Sequence, residues 1–235
     1  MNRFLLRIIT SGLVLSITGC GSDSLRLIEI VESRADSPDL VITMQYTDEG
    51  NRLSETRSRE GTAIRIDTYK TTPAGLLVSR STDDDLDGRV PVYDRQYEYN
   101  ESGALFRFNR FNGSGRISSV VIYEFQDGLA TSSELINTFD VSRPELVDIT
   151  SGTKERLETY EYEEGRIIAI NRDSNLNGTF DFRTNYTYNP NGTLASTSVN
   201  SITNGVIRTS TYVYEDGLCK PWGDTTVDFY CIKPE

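Results

Sequence analysis

From about residue 40 onward the chain alternates between buried-type and polar positions. It is also cut by glycine at short, even intervals. Ile117, Ser119, Val121, Tyr123 and Phe125 occupy every second position, the period of a strand with one face buried. A unit of the form Tyr-x-Tyr, a short polar turn, Gly and then an apolar residue recurs. It runs from Tyr97 and Tyr99 to Gly103 and Leu105, from Tyr160 and Tyr162 to Gly165 and Ile167, from Tyr186 and Tyr188 to Gly192 and Leu194, and from Tyr212 and Tyr214 to Gly217 and Leu218. Weaker copies sit at Tyr46 to Gly50, Tyr69 to Gly75 and Tyr123 to Gly128. Turn glycines at 50, 75, 103, 128, 165, 192 and 217 are separated by 25, 28, 25, 37, 27 and 25 residues. A second series, Gly61, Gly88, Gly115, Gly152, Gly178 and Gly205, falls near the middle of each interval.

Strands that are short, β-branched or aromatic, and punctuated this regularly predict an all-β fold. The expected form is an antiparallel meander of about fourteen short strands, built from two-strand repeats of about 26 residues. Tyr93, Tyr97 and Tyr99 share one side of their strand, opposite Asp94, Gln96 and Glu98. A meander with one apolar face must curl into an open barrel, a shell or a sandwich to bury it. A lipid-spanning barrel alternates in the same way, but Arg65, Arg107 and Arg208 punctuate the strands and argue against one. The long interval between Gly128 and Gly152 carries an insertion near Asp140 to Ile149, a place where a regular scaffold can carry function.

The repeat resembles the YD or RHS-type repeats of bacterial surface and toxin-shell proteins over roughly residues 43–218. That resemblance implies a β-sheet repeat and no activity, since such shells mostly enclose or present other modules.

The amino terminus has a different character. Arg3 and Arg7 form a short positive region, and Phe4 to Ile17 is mostly apolar, broken by Thr10, Ser11 and Gly12. Such a run is too short to span a ~30 Å hydrocarbon core and reads as a secretory signal. It ends in Ile17-Thr18-Gly19-Cys20, which resembles the lipobox recognised by bacterial lipoprotein signal peptidase. The resemblance implies cleavage after Gly19 and lipid on Cys20, and two or three acyl chains anchor stably at about 0.8 kcal/mol per buried methylene. Gly21 stands where many diderm bacteria place the Asp that retains a lipoprotein in the inner membrane. The expected location is therefore the cell envelope, at the outer membrane of a diderm bacterium. The expected division is a signal peptide over 1–19, a lipidated linker over 20–39 and a β-repeat domain over 40–235.

Net charge is −11, and removing residues 1–19 takes away two arginines and no acid, leaving −13. A chain this acidic does not suit nucleic acid, whose phosphates call for clustered Lys and Arg. Histidine is absent, which removes the commonest general base and transition-metal ligand. With Cys20 lipidated, Cys219 and Cys231 remain as an even pair in an oxidising compartment, and a disulfide between them is expected.

Two mid-unit turns carry candidate chemistry. Asp83-Asp84-Asp85-Leu86-Asp87-Gly88 and Asp173-Ser174-Asn175-Leu176-Asn177-Gly178 place side-chain oxygens at positions one, three and five, and glycine at six. This spacing resembles the calcium loop of EF-hands. The candidate ligands are Asp83, Asp85 and Asp87 with Asp94 at position twelve, and Asp173, Asn175 and Asn177 with Asp181 at position nine. The first loop is favoured, because a divalent cation would relieve the mutual repulsion of its carboxylates. No nucleophile elbow, phosphate loop or His/Cys cluster occurs, and Glu161, Glu163 and Glu164 read as solvated strand and turn residues. The expectation is a non-catalytic envelope scaffold, stabilised by calcium, that binds a protein or glycan partner. The alternative is an envelope glycan hydrolase using paired carboxylates.

Overall fold

The structure, a computed structural model, describes residues 25–73, 75–88, 94–101, 103–127, 129–141, 149–216 and 231–232, apart from the side chains of 139–141 and 231–232. The first seven strands are β1 (Leu25–Arg34), β2 (Ser37–Tyr46), β3 (Arg52–Arg59), β4 (Thr62–Thr71), β5 (Leu77–Asp83), β6 (Arg95–Tyr99) and β7 (Leu105–Phe111). Eight follow: β8 (Ile117–Gln126), β9 (Leu129–Val141), β10 (Thr153–Glu163), β11 (Arg166–Asp173), β12 (Phe182–Tyr188), β13 (Leu194–Ser201), β14 (Gly205–Asp216) and β15 (Cys231–Ile232). No helix occurs among the described residues. Each strand from β1 to β14 pairs with its sequence neighbours, and β14 pairs back onto β1, from Leu25↔Asp216 to Ser33↔Thr209. Fourteen antiparallel strands therefore close into a barrel, which leaves no long edge unpaired. The short β15 lies against Leu25 and Arg26 of β1.

Closure depends on β1, which lies inside the stretch expected to be linker. The barrel thus takes in residues 25–39 as well as those from residue 40 onward. A register shift between Leu27 and Glu29 interrupts the strand's alternation, so a period-two reading misses it.

The repeat motif gains a physical meaning at one end of the barrel. In each hairpin that follows a tyrosine-bearing strand, one residue just past the turn is left unpaired. Tyr46 faces Arg52, Tyr99 faces Leu105, Phe125 faces Ala130, Tyr162 faces Ile167 and Tyr188 faces Leu194. These bulges turn the residue after the turn into the barrel. Leu27, Arg52, Leu77, Leu105, Ala130, Ile167 and Leu194 form the result, each at most 3% exposed. Three tyrosines tie this layer down by donating a hydrogen bond to the carbonyl of the preceding unit's layer residue: Tyr46 to Leu27 (2.6 Å), Tyr99 to Leu77 (2.9 Å) and Tyr188 to Ile167 (2.7 Å). The bulged residues themselves point outward, which is why Leu53 and Val78 are exposed. Glu60-Gly61 at the opposite end and Glu164-Gly165 at the apolar end each have positive φ at both residues (49° and 77°, 50° and 76°). That mirror-image turn matches strand twist and favours glycine.

The two faces of the wall differ. Inward, Leu27, Leu40, Ile42 and Met44 cluster with Tyr46, Tyr212 and Tyr214, while Phe108, Val121 and Leu135 cluster with Tyr97 and Tyr123. Exposure confined to the other side of these strands, at positions such as Thr43, Gln45, Thr68 and Lys70, identifies this face as the interior. Outward, the wall presents residues such as Thr43, Gln45, Thr68, Lys70, Thr187 and Thr209 to solvent. A lipid-facing wall requires an apolar band about 25 Å tall; these polar positions interrupt any such band, although Leu53, Val78 and Val213 are also exposed. Val120 and Ile136 are buried although they lie on the outer side. Gly152, at the end of the predicted insertion, lies against Ile136, and a Cβ there would collide with Ile136 Cγ2 and the Asn137 carbonyl oxygen. Residues 142–148 of that insertion lie outside the described residues.

Candidate functional site

The barrel end opposite the apolar layer is charged. Both acidic loops lie there, because each connects an odd-numbered strand to the even-numbered strand that returns from this end. Three arrangements of side chains meet at it.

The first is an ionic network on the inner wall of β3, β4 and β5. Register places Glu55 opposite Asp67 and Asp67 opposite Thr82. Asp67 is fully buried and accepts hydrogen bonds from Arg65 Nη2 (2.9 Å) and Thr82 Oγ1 (2.6 Å), with Arg57 at 3.5 Å and Arg80 at 3.9 Å. Arg52 pairs with Glu55, and Arg80 with Asp94. Burial pushes the Asp67 carboxyl up, but hydrogen bonds from Arg65 and Thr82 and the charges of Arg80 and Arg65 outweigh it. The net result lies below the usual carboxylate range. Arg80 is held protonated: burial opposes its charge, and Asp94 and Asp67 more than restore it.

The second is a run of arginines across β5, β6, β7 and β10. Arg80 faces Arg95, and Arg95 faces Arg110, all on the inner side. The Arg95 and Arg110 guanidiniums lie 5.4 and 5.5 Å from the centre of the Phe108 ring. Arg156 of β10 faces Leu135 and shares the Glu158 carboxylate with Arg172, at 3.4 and 2.8 Å. Beside this wall opens a cavity of ≈ 430 Å³, lined by Leu135, Lys154, Glu155, Arg156, Arg172 and residues 174–176.

The third comprises the two loops. Carboxylate oxygens of Asp83, Asp85 and Asp87 lie within 4.8 Å of one another. Asp83 is buried; one of its oxygens accepts the Gly88 N–H at 3.2 Å, while Oδ1 has no hydrogen-bond partner. Asp84 turns away to Arg65 (3.2 Å). Asp94, expected as a fourth ligand, does not join them. It is bound by Arg80, because its N–H already donates to the Arg80 carbonyl and holds it beside that guanidinium. In the second loop Asp173 accepts N–H bonds from Asn175, Asn177 and Gly178, and Asp181 accepts one from Ser174 (2.7 Å). Leu86 and Leu176 occupy the same place in the two loops and share a left-handed backbone, φ 58° and 56°. The second loop is therefore satisfied by its own backbone, whereas the first retains three converging carboxylates. Cys20 and Cys219 lie outside the described residues, as does the side chain of Cys231, so neither the lipid site nor the disulfide is part of this geometry.

No protein-family model matches the chain, and no curated protein sequence does. Among solved structures the chain is similar to a porin-like protein from Bacteroides uniformis ATCC 8492, with 13% identity and a TM-score of 0.47 over 83% of this chain and 98% of that one. It is also similar to a chain of TcdB2-TccC3, with 12% identity and a TM-score of 0.30 over 72% of this chain. The match spans only 12% of that longer chain. At these scores the description of the barrel rests on its own strand register.

The inner arginines are absent from the sequence-based candidates. Arg80, Arg95 and Arg110 are fifteen residues apart, which is a signal of sorts. It becomes chemistry only when the strand register places the three side by side. Glu161 turns out to be engaged rather than merely solvated. Arg183 and then Asn171 hydrogen-bond its carboxylate, and despite the opposing effect of burial it falls to about 2.

Proposed function

We propose that this protein is a non-catalytic β-barrel scaffold of the bacterial cell envelope, tethered by lipid on Cys20 and built from repeats of the YD/RHS kind. The observation that carries this reading is the polarity of the barrel: a water-facing outer wall around an interior whose acids are held by arginines. A wall of that kind cannot sit in hydrocarbon, so attachment to a membrane falls to the lipid. Leu25 lies five positions after Cys20, a reach of at most about 17 Å. The anchor thus emerges at the apolar end, where β1 begins, and the charged end points away from the membrane toward an envelope protein or glycan.

The hydrolase alternative is weaker on electrostatic grounds. A glycosidic general acid needs a carboxyl whose pKa is raised. Asp67, the most buried carboxylate, is shifted the other way, and Glu55 and Glu158 are ion-paired. Calcium bound by Asp83, Asp85 and Asp87 would complete the first loop and leave the barrel chemistry unchanged.

The test is fractionation with metabolic fatty-acid labelling in a diderm host. The native chain takes up label and sediments with membranes; Cys20→Ala takes up none and appears in the soluble fraction. Cys20→Ala protein that stays in membranes after an alkaline wash overturns the reading.

A further inference from the structure

We propose that the inner wall of β6, β7 and β10 is a binding site for an oxyanion, a carboxylate or phosphate carried by a small polar molecule, held by Arg95, Arg110 and Arg156. The inference rests on the scaffold being a binding module, and it names the chemistry of what is bound.

Cross-strand partners in a sheet have Cβ atoms about 5 Å apart, and like charges placed so destabilise the pair. Arg80, Arg95 and Arg110 are consecutive partners of this kind on one face. Arg80 is compensated by Asp94 and Asp67. No carboxylate among the described residues forms an ion pair with Arg95 or Arg110. Both stack on Phe108 instead, which steadies a guanidinium without neutralising it. Arg110 Nε is buried and lacks a hydrogen-bond partner. Arg156 and Arg172 share Glu158. Among the described residues, Glu158 is the one carboxylate ion-paired to the four arginines 95, 110, 156 and 172, and Glu155, which also lines the cavity, is taken by Asn137. The Arg110 guanidinium registers the crowding: burial, then the charges of Arg95, Arg156 and Arg80, lower its pKa.

Access on the β10 side is provided by the cavity that Arg156 lines. Arg172, Glu155 and Lys154 line it as well, and Lys154 is paired with Glu134 at 2.7 Å. Its volume, ≈ 430 Å³, suits a molecule of one or two sugar rings or smaller. Guanidinium forks match carboxylate and phosphate oxygens two at a time, which a cluster of lysines would not do.

Calorimetry on the full chain, titrated separately with digalacturonate, inorganic phosphate and the neutral disaccharide maltose, tests this. At least one anion should bind, more weakly as salt is raised, and maltose should not; which anion binds identifies the carrier. Arg95→Gln with Arg110→Gln should weaken binding by about tenfold or more. Arg208→Gln, on the inner wall beside Glu32, should leave it unchanged. Without ligand, the double variant should melt no lower than wild type, because like-charge repulsion is removed. The proposal is overturned if no anion binds at millimolar concentration, if the double variant binds as well as wild type, or if it melts clearly lower, which would make the arginines structural. None of these outcomes bears on whether Cys20 is lipidated.

Discussion

Asp67→Asn is the perturbation whose consequence follows most closely from the structure. Asparagine has the shape of aspartate, so no cavity opens, and what disappears is one negative charge at a site with no solvent exposure. Arg65, Arg57 and Arg80 then face one another with Glu55, Asp94 and the exposed Asp84 left nearby. Removing one partner from a buried ionic cluster costs about 3–5 kcal/mol. Arg65 and Arg57 keep 26% and 30% of their side-chain surface in water, which favours the lower end, about 3 kcal/mol. For a domain of this size that lowers the melting temperature by roughly 6–12 °C. Urea unfolding of both proteins at pH 7 measures it. Because the folded pKa of Asp67 is depressed, its contribution is complete above the unfolded value near 4 and fades as pH falls through the lower folded value. The gap between wild type and Asp67→Asn should therefore close on acidification. A loss below about 1 kcal/mol at pH 7, or a gap that does not depend on pH below about 4, refutes the reasoning.

Tyr188→Phe removes a hydroxyl donated at 2.7 Å to the Ile167 carbonyl and should cost about 1 kcal/mol in urea unfolding, since a partly buried carbonyl loses its donor. Phe125, which holds the tyrosine's place in one unit, shows that the barrel tolerates the change. Millimolar calcium should raise the melting temperature of the wild-type chain, and Asp85→Asn with Asp87→Asn should abolish the rise. A melt indifferent to calcium and chelator, with no calorimetric signal, removes calcium from the first loop.

The strands were legible in the sequence because turn chemistry is local. Glycine at positive φ marks ten of the turns, and alternating aromatic and β-branched residues mark what lies between, so the count of about fourteen strands matches the barrel. Closure was not legible, because the register shift after Leu27 breaks the alternation of the strand that forms the seam. Asp94 shows a second limit. Spacing alone placed it as a calcium ligand, whereas a backbone hydrogen bond to Arg80 sets it beside a guanidinium. The arginine wall shows a third, since residues fifteen apart become neighbours only through pairing register. Local rules thus gave the elements, and long-range pairing decided which charges meet.

The seam between β1 and β14 tests the account most directly, since the concave, charged interior exists only if the sheet closes. Val31 and Thr211 face each other across it. Spin labels on Val31→Cys and Thr211→Cys, with the native cysteines replaced by serine, report their separation by pulsed electron resonance. The closed barrel predicts a distance below about 20 Å, a cross-strand spacing plus two label arms. An open, flat meander would separate these strands by about 60 Å, thirteen intervals of about 4.7 Å. A distance distribution near that longer value would contradict the barrel and the interior built on it.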